Sequence, residues 1–234
     1  ALERRKVEII SLKGQRNFLK KISATPGHIL GLIIALLRNY RKASKSLEKG
    51  IWNREHLIGN EIKNKTIGII GLGRVGFILA KYLDVMGANV VWIDNKKNIL
   101  SKKHWIRANN IPHLISVSDV VCLCANYEFG QKPILCESNL DLMKKKYLVN
   151  TSRGELIDEE KLINMIESDE FAGVALDVIS NEKNNANINR WMKIYNENIN
   201  LIITPHIGGA TIESINNTEI FIAQLLHKKV NQDN

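Results

Sequence analysis

The stretch from Thr66 to Asp94 constrains this chain more than any other. It runs Thr66-Ile67-Gly68-Ile69-Ile70, then Gly71-Leu72-Gly73-Arg74-Val75-Gly76, then Phe77 to Met86 with helical spacing, then Asn89-Val90-Val91-Trp92-Ile93-Asp94. That order predicts strand, glycine turn, helix, second strand and terminal acid, the context in which a G-x-G-x-x-G marks a dinucleotide site rather than a bare turn. Gly71 answers the need for a tight turn off the strand, Gly73 the approach of backbone amides to a pyrophosphate, and Gly76 the close packing of helix on sheet. The helix start adds N–H groups without intrahelical partners and a partial positive charge. Asp94 lies 18 positions beyond Gly76, placed to accept from ribose hydroxyls. Its charge opposes a 2′-phosphate, which predicts NAD over NADP.

Beyond this unit strands and helices keep alternating. Strands are expected over Asp119 to Cys124, Tyr147 to Asn150, Ala172 to Val178 and Leu201 to Thr204. Helices are expected over Glu137 to Met143, over Asp158 to Glu167, and over Gly209 to Val230 with Thr211 near its start. This spacing predicts an α/β fold, a Rossmann-type doubly wound parallel sheet. Ligands of such sheets lie beyond the carboxyl ends of the strands, and Asp94, Asn126, Arg153, Asp177 and His206 each follow a strand.

Upstream, Ala1 to Lys6 reads as a helix end, Val7 to Leu12 as a short strand and Gly14 to Ser23 as a polar connection. A helix then starts with Thr25 as N-cap and Pro26 at the first helical position, where its missing N–H costs nothing. From Ile29 to Leu37 it is apolar nearly all round and so is expected to be buried on more than one side, a second subunit included. His28 reads as a packed or capping residue. Ser44 to Lys65 is a basic connection in which Trp52 is expected to pack within the chain, with a dimer contact as the other option. Ile179 to Asn200 has no clear strand and room for a helical turn over Ile188 to Tyr195.

The chain has 234 residues, 44% hydrophobic and 24% charged, which suits one well-buried domain plus an appendage. Ile29 to Leu37 is far too short to cross a bilayer, so no membrane partner is expected. The net charge of +9 comes from scattered lysines without a basic stripe interleaved with aromatics. It is read as a solvated surface that attracts anionic substrates and cofactors, with no nucleic acid partner. Cys122, Cys124 and Cys136 form no C-x-x-C; neither a metal site nor a disulfide framework is predicted, and a reducing cytoplasm fits. The chain opens with Ala1 inside a basic helical pattern, and an N-terminal piece is expected to be missing.

With a dinucleotide over the strand ends, Arg153, Asp177, Glu182 and His206 would converge there. An arginine forks onto a carboxylate and can polarise a neighbouring carbonyl. A histidine can protonate an oxygen that becomes an alkoxide as hydride arrives, and an adjacent acid orients it. That set describes reduction of a 2-keto acid.

Four segments in order carry a resemblance: Thr66 to Asp94; Val149-Asn150-Thr151-Ser152-Arg153-Gly154-Glu155-Leu156-Ile157-Asp158; Gly173-Val174-Ala175-Leu176-Asp177-Val178; and Thr204-Pro205-His206-Ile207-Gly208-Gly209-Ala210-Thr211. Together they resemble the D-isomer-specific 2-hydroxyacid dehydrogenases, most of all the phosphoglycerate dehydrogenase-like branch. The resemblance implies an NAD-dependent oxidoreductase that interconverts a 2-keto acid and a D-2-hydroxy acid, 3-phosphohydroxypyruvate and 3-phosphoglycerate being one such pair. It makes Arg153 the ligand of the substrate carboxylate and carbonyl, His206 the acid/base and Glu182 its partner. On the cofactor side it implies Gly71, Gly73, Arg74, Val75 and Gly76 at the pyrophosphate and Asp94 at the ribose. Ala125, Thr151, Ser152, Asp177, His206 and Gly208 would lie around the nicotinamide, with Asp177 on its carboxamide.

The resemblance also implies a division of the chain. Residues 1–23 would be the tail of a substrate-binding domain, 24–209 the NAD-binding Rossmann domain, and 210–234 a helix returning to the substrate domain, with a homodimer formed through the nucleotide-binding domain. The chain departs from the family pattern at Pro26 and Gly27, where a small residue and Glu are usual before the histidine. It departs again at Cys124-Ala125-Asn126, where many members have His-x-Pro, and after Glu182, where the usual prolines are lacking. A nucleotide-sensing, corepressor-like binding protein on the same fold is the alternative reading.

Overall fold

The structure, a computed structural model, describes residues 9–96, 99, 101–197 and 200–231. In chain order its elements are α1 (Arg16–Leu19), α2 (Ala24–Leu37), α3 (Tyr40–Glu48), β1 (Thr66–Ile70), α4 (Arg74–Val85), β2 (Asn89–Ile93), β3 (Ile106–Arg107), α5 (Ile111–Val117), β4 (Val120–Leu123), α6 (Glu137–Leu140), β5 (Tyr147–Asn150), α7 (Glu159–Glu167), β6 (Gly173–Leu176), α8 (Asn185–Glu197), β7 (Leu201–Ile203) and α9 (Ile212–Val230). The described strands pair in parallel in the order β3, β2, β1, β4, β5, β6, β7. Chain order reverses between β1 and β4, the crevice in which open α/β sheets hold ligands.

Strand residues alternate between two apolar layers. Ile67, Ile69, Val90, Trp92, Val120, Cys122, Val149 and Ala175 face one side, where Ile29, Ile33 and Leu37 of α2 and Leu79 and Leu83 of α4 cover them. Ile70, Val91, Val121, Leu123, Leu148, Val174 and Leu176 face the other, against Leu114 and Ile115 of α5, Leu162 and Ile163 of α7 and Trp191 of α8. Burial on both faces explains the near-continuous apolar strands. At roughly 25 cal/mol per Å² of apolar area, these two layers are the main source of stability.

Several expectations change. The helix through Pro26 starts two residues earlier, with Ser23 rather than Thr25 at the N-cap and Pro26 in its first turn, where the absent N–H is still harmless. Ala1 to Lys6 and the first two residues of the expected strand over Val7 to Leu12 lie outside the described residues, and 9–12 form no strand. Tyr40–Glu48, half of it expected to be loop, is helical. Arg41 donates to the carbonyls of Tyr195 and Leu201, and Lys45 to that of Asn196 at 3.1 Å. Partners about 150 residues away, not local pattern, hold this helix. Trp52 does not pack within the chain and is 91% exposed. The helical turn around Ile188 is a 13-residue helix that inserts Trp191 and Ile194 into the core. Arg16–Leu37 is long and apolar enough by composition to cross a membrane, yet Ile29, Leu32, Ile33, Leu36 and Leu37 are buried against the sheet.

Candidate active site

The glycine turn connects β1 to α4 as the motif predicts. Gly71 has φ +97°, and a Cβ there would sit 2.6 Å from the Ala125 nitrogen, so the turn presses on the chain leaving β4. A Cβ on Gly76 would meet the Gly71 carbonyl at 2.1 Å, which fixes how closely α4 approaches the strand end. Gly73 is exposed and has open space where a side chain would be. Closed walls around an open amide-bearing edge suit a pyrophosphate. Val75 follows half-buried at the start of α4. The Arg74 side chain lies elsewhere: its guanidinium donates to the Ile22 carbonyl at 2.9 Å and the Leu19 carbonyl at 3.4 Å. Burial lowers its pKa.

At the end of β2, Asp94 accepts from the Leu72 N–H and the Lys96 N–H, both at 2.9 Å. The carboxylate is thereby oriented beside the turn. Arg107 donates to the carbonyls of Asp94 and Lys96, each at 3.2 Å, and supports the same strand end. After β4, burial pushes the Cys124 thiol up to about 12, which leaves it neutral and unsuited to nucleophilic work. Ala125 follows half-buried, and Asn126 is exposed.

The loop after β5 is organised by Asn150, which is fully buried. Its Oδ1 accepts from the Ser152 N–H at 3.0 Å and its Nδ2 donates to the Arg153 carbonyl at 2.9 Å. The Ser152 hydroxyl donates to the Leu123 carbonyl at 2.9 Å, joining the ends of β4 and β5, while Thr151 is buried. Arg153 is left exposed, its guanidinium 2.6 Å from the Ser152 carbonyl. Gly154 then passes so close to the chain after β6 that a Cβ would lie 2.1 Å from Ile179 C and Ser180 N. Two residues on stands Glu182. Glu159, in the first turn of α7, holds the same loop by accepting the Ser180 N–H at 2.8 Å.

Asp177, 1% exposed, anchors the last loop. Its Oδ1 accepts from the Thr204 hydroxyl at 2.6 Å and the Ile207 N–H at 2.9 Å, and its Oδ2 from the Gly208 N–H at 2.8 Å. His28 Nε2 lies 3.3 Å from Oδ1 and 3.1 Å from the Thr204 hydroxyl. Burial works to raise the Asp177 carboxyl's pKa; the donors from His28, Thr204, Ile207 and Gly208 outweigh it and leave the group below the ordinary carboxylate value. A Cβ on Gly208 would meet Oδ2 at 2.8 Å, so a glycine allows this closeness. Between those anchors His206 takes φ +54°, its N–H donating to the Asp177 and Thr204 carbonyls at 2.8 and 2.9 Å. Its ring Nδ1 lies 2.7 Å from Glu182 Oε2, with side chains 44% and 36% exposed.

The structure therefore joins Glu182 to His206 directly and sets Arg153 at the neighbouring strand end. Among the described residues Arg153 makes no hydrogen bond to that pair. Asn150, Gly154, Thr204 and His28 support the site without having been singled out. A glycine next to Arg153 and an asparagine at a strand end were the available signals, whereas His28 reached the site through contacts 149 and 176 positions away in sequence. No group of three or more metal-binding side chains occurs among the described residues.

A family model described as D-isomer specific 2-hydroxyacid dehydrogenase, NAD binding domain, matches residues 30–208. The chain is 32% identical over 214 residues to D-3-phosphoglycerate dehydrogenase 2 of Saccharomyces cerevisiae, covering 88% of this chain and 45% of that protein. It is 32% identical over 198 residues to a glyoxylate reductase of Thermofilum pendens, covering 79% and 55%. Among solved structures, the NAD-complexed D-isomer specific 2-hydroxyacid dehydrogenase from Lactobacillus delbrueckii ssp. bulgaricus is similar with a TM-score of 0.76 at 28% identity, covering 87% of this chain and 67% of that one. The chain spans about half the length of the curated relatives it matches. With the glycine turn, the acid after β2 and a matched region running from α2 to the histidine loop, the chain belongs to the D-isomer specific 2-hydroxyacid dehydrogenases through their NAD-binding domain.

Proposed function

We propose that this chain is the cofactor-binding and acid–base part of an NAD-dependent oxidoreductase that interconverts a 2-keto acid and a D-2-hydroxy acid. The observation that carries the reading is the 2.7 Å contact between His206 and Glu182 on the sheet edge that also bears the glycine turn. Gly71, Gly73, Val75, Gly76 and the Arg74 backbone would hold the pyrophosphate and Asp94 the ribose. Ala125, Thr151, Ser152, Asp177 and Gly208 would border the nicotinamide. When bound, NADH supplies the hydride. Because Glu182 engages Nδ1, His206 is left with Nε2 to give a proton to the substrate oxygen, and the Glu182 carboxylate stabilises the imidazolium that precedes transfer. The exposed Arg153 guanidinium would fork onto the substrate carboxylate. The relatives named for 3-phosphoglycerate and glyoxylate support a small 2-keto acid as the substrate class.

On this reading residues 1–23 and 210–234 belong with the substrate-binding part, since α9 buries none of its own residues. The three free thiols fit a reducing cytoplasm. Neither nucleic acid nor membrane enters the reading. The direct test is NADH binding by fluorescence titration with NADPH in parallel, followed by a panel of 2-keto acids. NADH should bind at least about tenfold more tightly than NADPH, and Asp94→Ser should erase most of that preference. Equal affinities in the wild type would overturn the role given to Asp94, and no binding would overturn the reading.

A homodimer is part of the same proposal. Trp52 is exposed, and an apolar hollow of about 300 Å³ opens beside Ile34, Leu37, Ile62 and Met86. An indole left in water loses roughly 2 kcal/mol or more of available burial, and this hollow on a second copy would take it. Trp52→Ala should shift the chain from dimer to monomer in sedimentation velocity. A monomeric wild type, or a dimer indifferent to the substitution, would refute the contact.

A further inference from the structure

Arg74 opens α4 directly after the glycine turn, where the family resemblance aims it at the pyrophosphate. Its side chain turns instead toward the segment 16–23. The guanidinium donates to the carbonyl of Ile22 at 2.9 Å and, near the limit of hydrogen bonding, to that of Leu19 at 3.4 Å. These carbonyls lie where the four-residue α1 ends and the chain enters α2. The Leu19 carbonyl already accepts the Ile22 N–H at 3.2 Å, so the guanidinium acts chiefly on the Ile22 carbonyl, in the link between the two helices, which it supplies with a donor. Charge-assisted bonds of this kind are roughly twice as strong as neutral ones. Leaving them for a phosphate would forfeit them first. The same segment is gripped from a second side: Phe18 stacks on Phe221 of α9 with centroids 3.9 Å apart and planes within 6°. Since α9 has no buried residue of its own, this stack and the Arg74 contacts tie the 16–23 connection and α9 to the Rossmann core.

We propose that the Arg74 side chain is a positioning residue that pins the 16–23 connection, and through Phe18 and Phe221 the helix α9, to the phosphate-binding turn, leaving only its backbone N–H for the cofactor. The inference rests on the reading of Gly71 to Asp94 as the dinucleotide site. A ligand that orders the start of α4 then also steadies the connection, and by linkage a steadied connection favours the ligand.

The connection carries its own reporters, since Arg16, Lys20 and Lys21 are exposed trypsin sites. In the full chain, Arg74→Gln should speed cleavage at Lys20 and Lys21 about tenfold while the NADH Kd changes less than about threefold. Saturating NADH should slow these cuts in the wild type and lose that effect in the variant. Arg74→Lys, with charge but no fork, should fall between. Phe221→Ala leaves the turn untouched and should loosen the same sites with no more than about a threefold loss of NADH affinity; it keeps the test open should Arg74→Gln fold poorly. Unchanged cleavage in Arg74→Gln would overturn the proposal, and a Kd weakened about tenfold alongside it would make Arg74 a phosphate ligand instead. A wild type that binds no NADH would sink the dinucleotide reading, and the cleavage comparison would still decide the pin by itself.

Discussion

Replacing His206 with alanine is expected to cut 2-keto acid reduction about 10³-fold while leaving NADH affinity within about a factor of three. The expectation follows from where the residue's bonds go. Its backbone N–H is held by the Asp177 and Thr204 carbonyls, and the loop around it by Asp177 bonds to Ile207 and Gly208; the turn therefore persists when the ring is lost. The ring's bond is to Glu182 at 2.7 Å. Removing it takes away the proton donor and little else. Because φ at this position is +54°, alanine adds some backbone strain, so His206→Asn, which accepts that conformation more readily, is the companion variant. Both should fall to a similar residual rate. Glu182→Gln keeps a partner for Nδ1 but removes the charge behind the imidazolium, and a loss of about 10-fold to 100-fold is expected. If NADH affinity fell as far as turnover in the histidine variants, His206 would be shaping the cofactor site rather than moving a proton. The readouts are steady-state kinetics and fluorescence titration on the same preparations.

The sheet was legible because it depends on local pattern. Apolar runs such as Val120 to Leu123 and Gly173 to Leu176 sit between helices, and each becomes a central strand buried on both faces. Asp158 and Thr211 cap their helices, accepting from Lys161 and Ser214 N–H groups. What escaped the sequence is held by distant partners. The α3 helix looks like a basic loop until Arg41 finds the carbonyls at Tyr195 and Leu201. The two-residue β3 offers only the pair Ile106 and Arg107, too little for periodicity to register. In the site, the motif identified the turn but not the aim of the Arg74 side chain, because a motif records a residue type and not its rotamer. Asp177 illustrates the same limit. The strand-end position was readable, while the fact that both of its oxygens already hold the loop of Thr204 to Gly208 became visible only with the fold.

Asp177→Ala should therefore be the most destabilising single substitution at the site, by about 3–5 kcal/mol in urea or thermal unfolding, because it strands buried donors as well as removing an acceptor. The Ile207 and Gly208 N–H groups would lose their partner, and the Thr204 hydroxyl and the His28 ring would be left with only each other. Asp177→Asn preserves shape but must point an amide N–H at one of those donors, and a loss of roughly 1–3 kcal/mol is expected. Unlike the His206 variants, both should lose NADH affinity and turnover together, since the loop that carries His206 is loosened. The pH dependence has a definite sign. With the folded carboxyl held below its ordinary value, its contribution is complete above the unfolded pKa of about 3.9 and disappears as pH falls through the lower, folded one. In a His28→Gln background, where an uncharged amide takes the ring's place as a donor to Asp177, the stability gap between the chain that retains Asp177 and the chain carrying Asp177→Ala should stay level from neutral pH to about pH 5. It should close only below about pH 4. A gap that began to close near neutral pH would mean that burial dominates and the carboxyl takes up its proton early, and the loop would then be held by something other than an ionised Asp177.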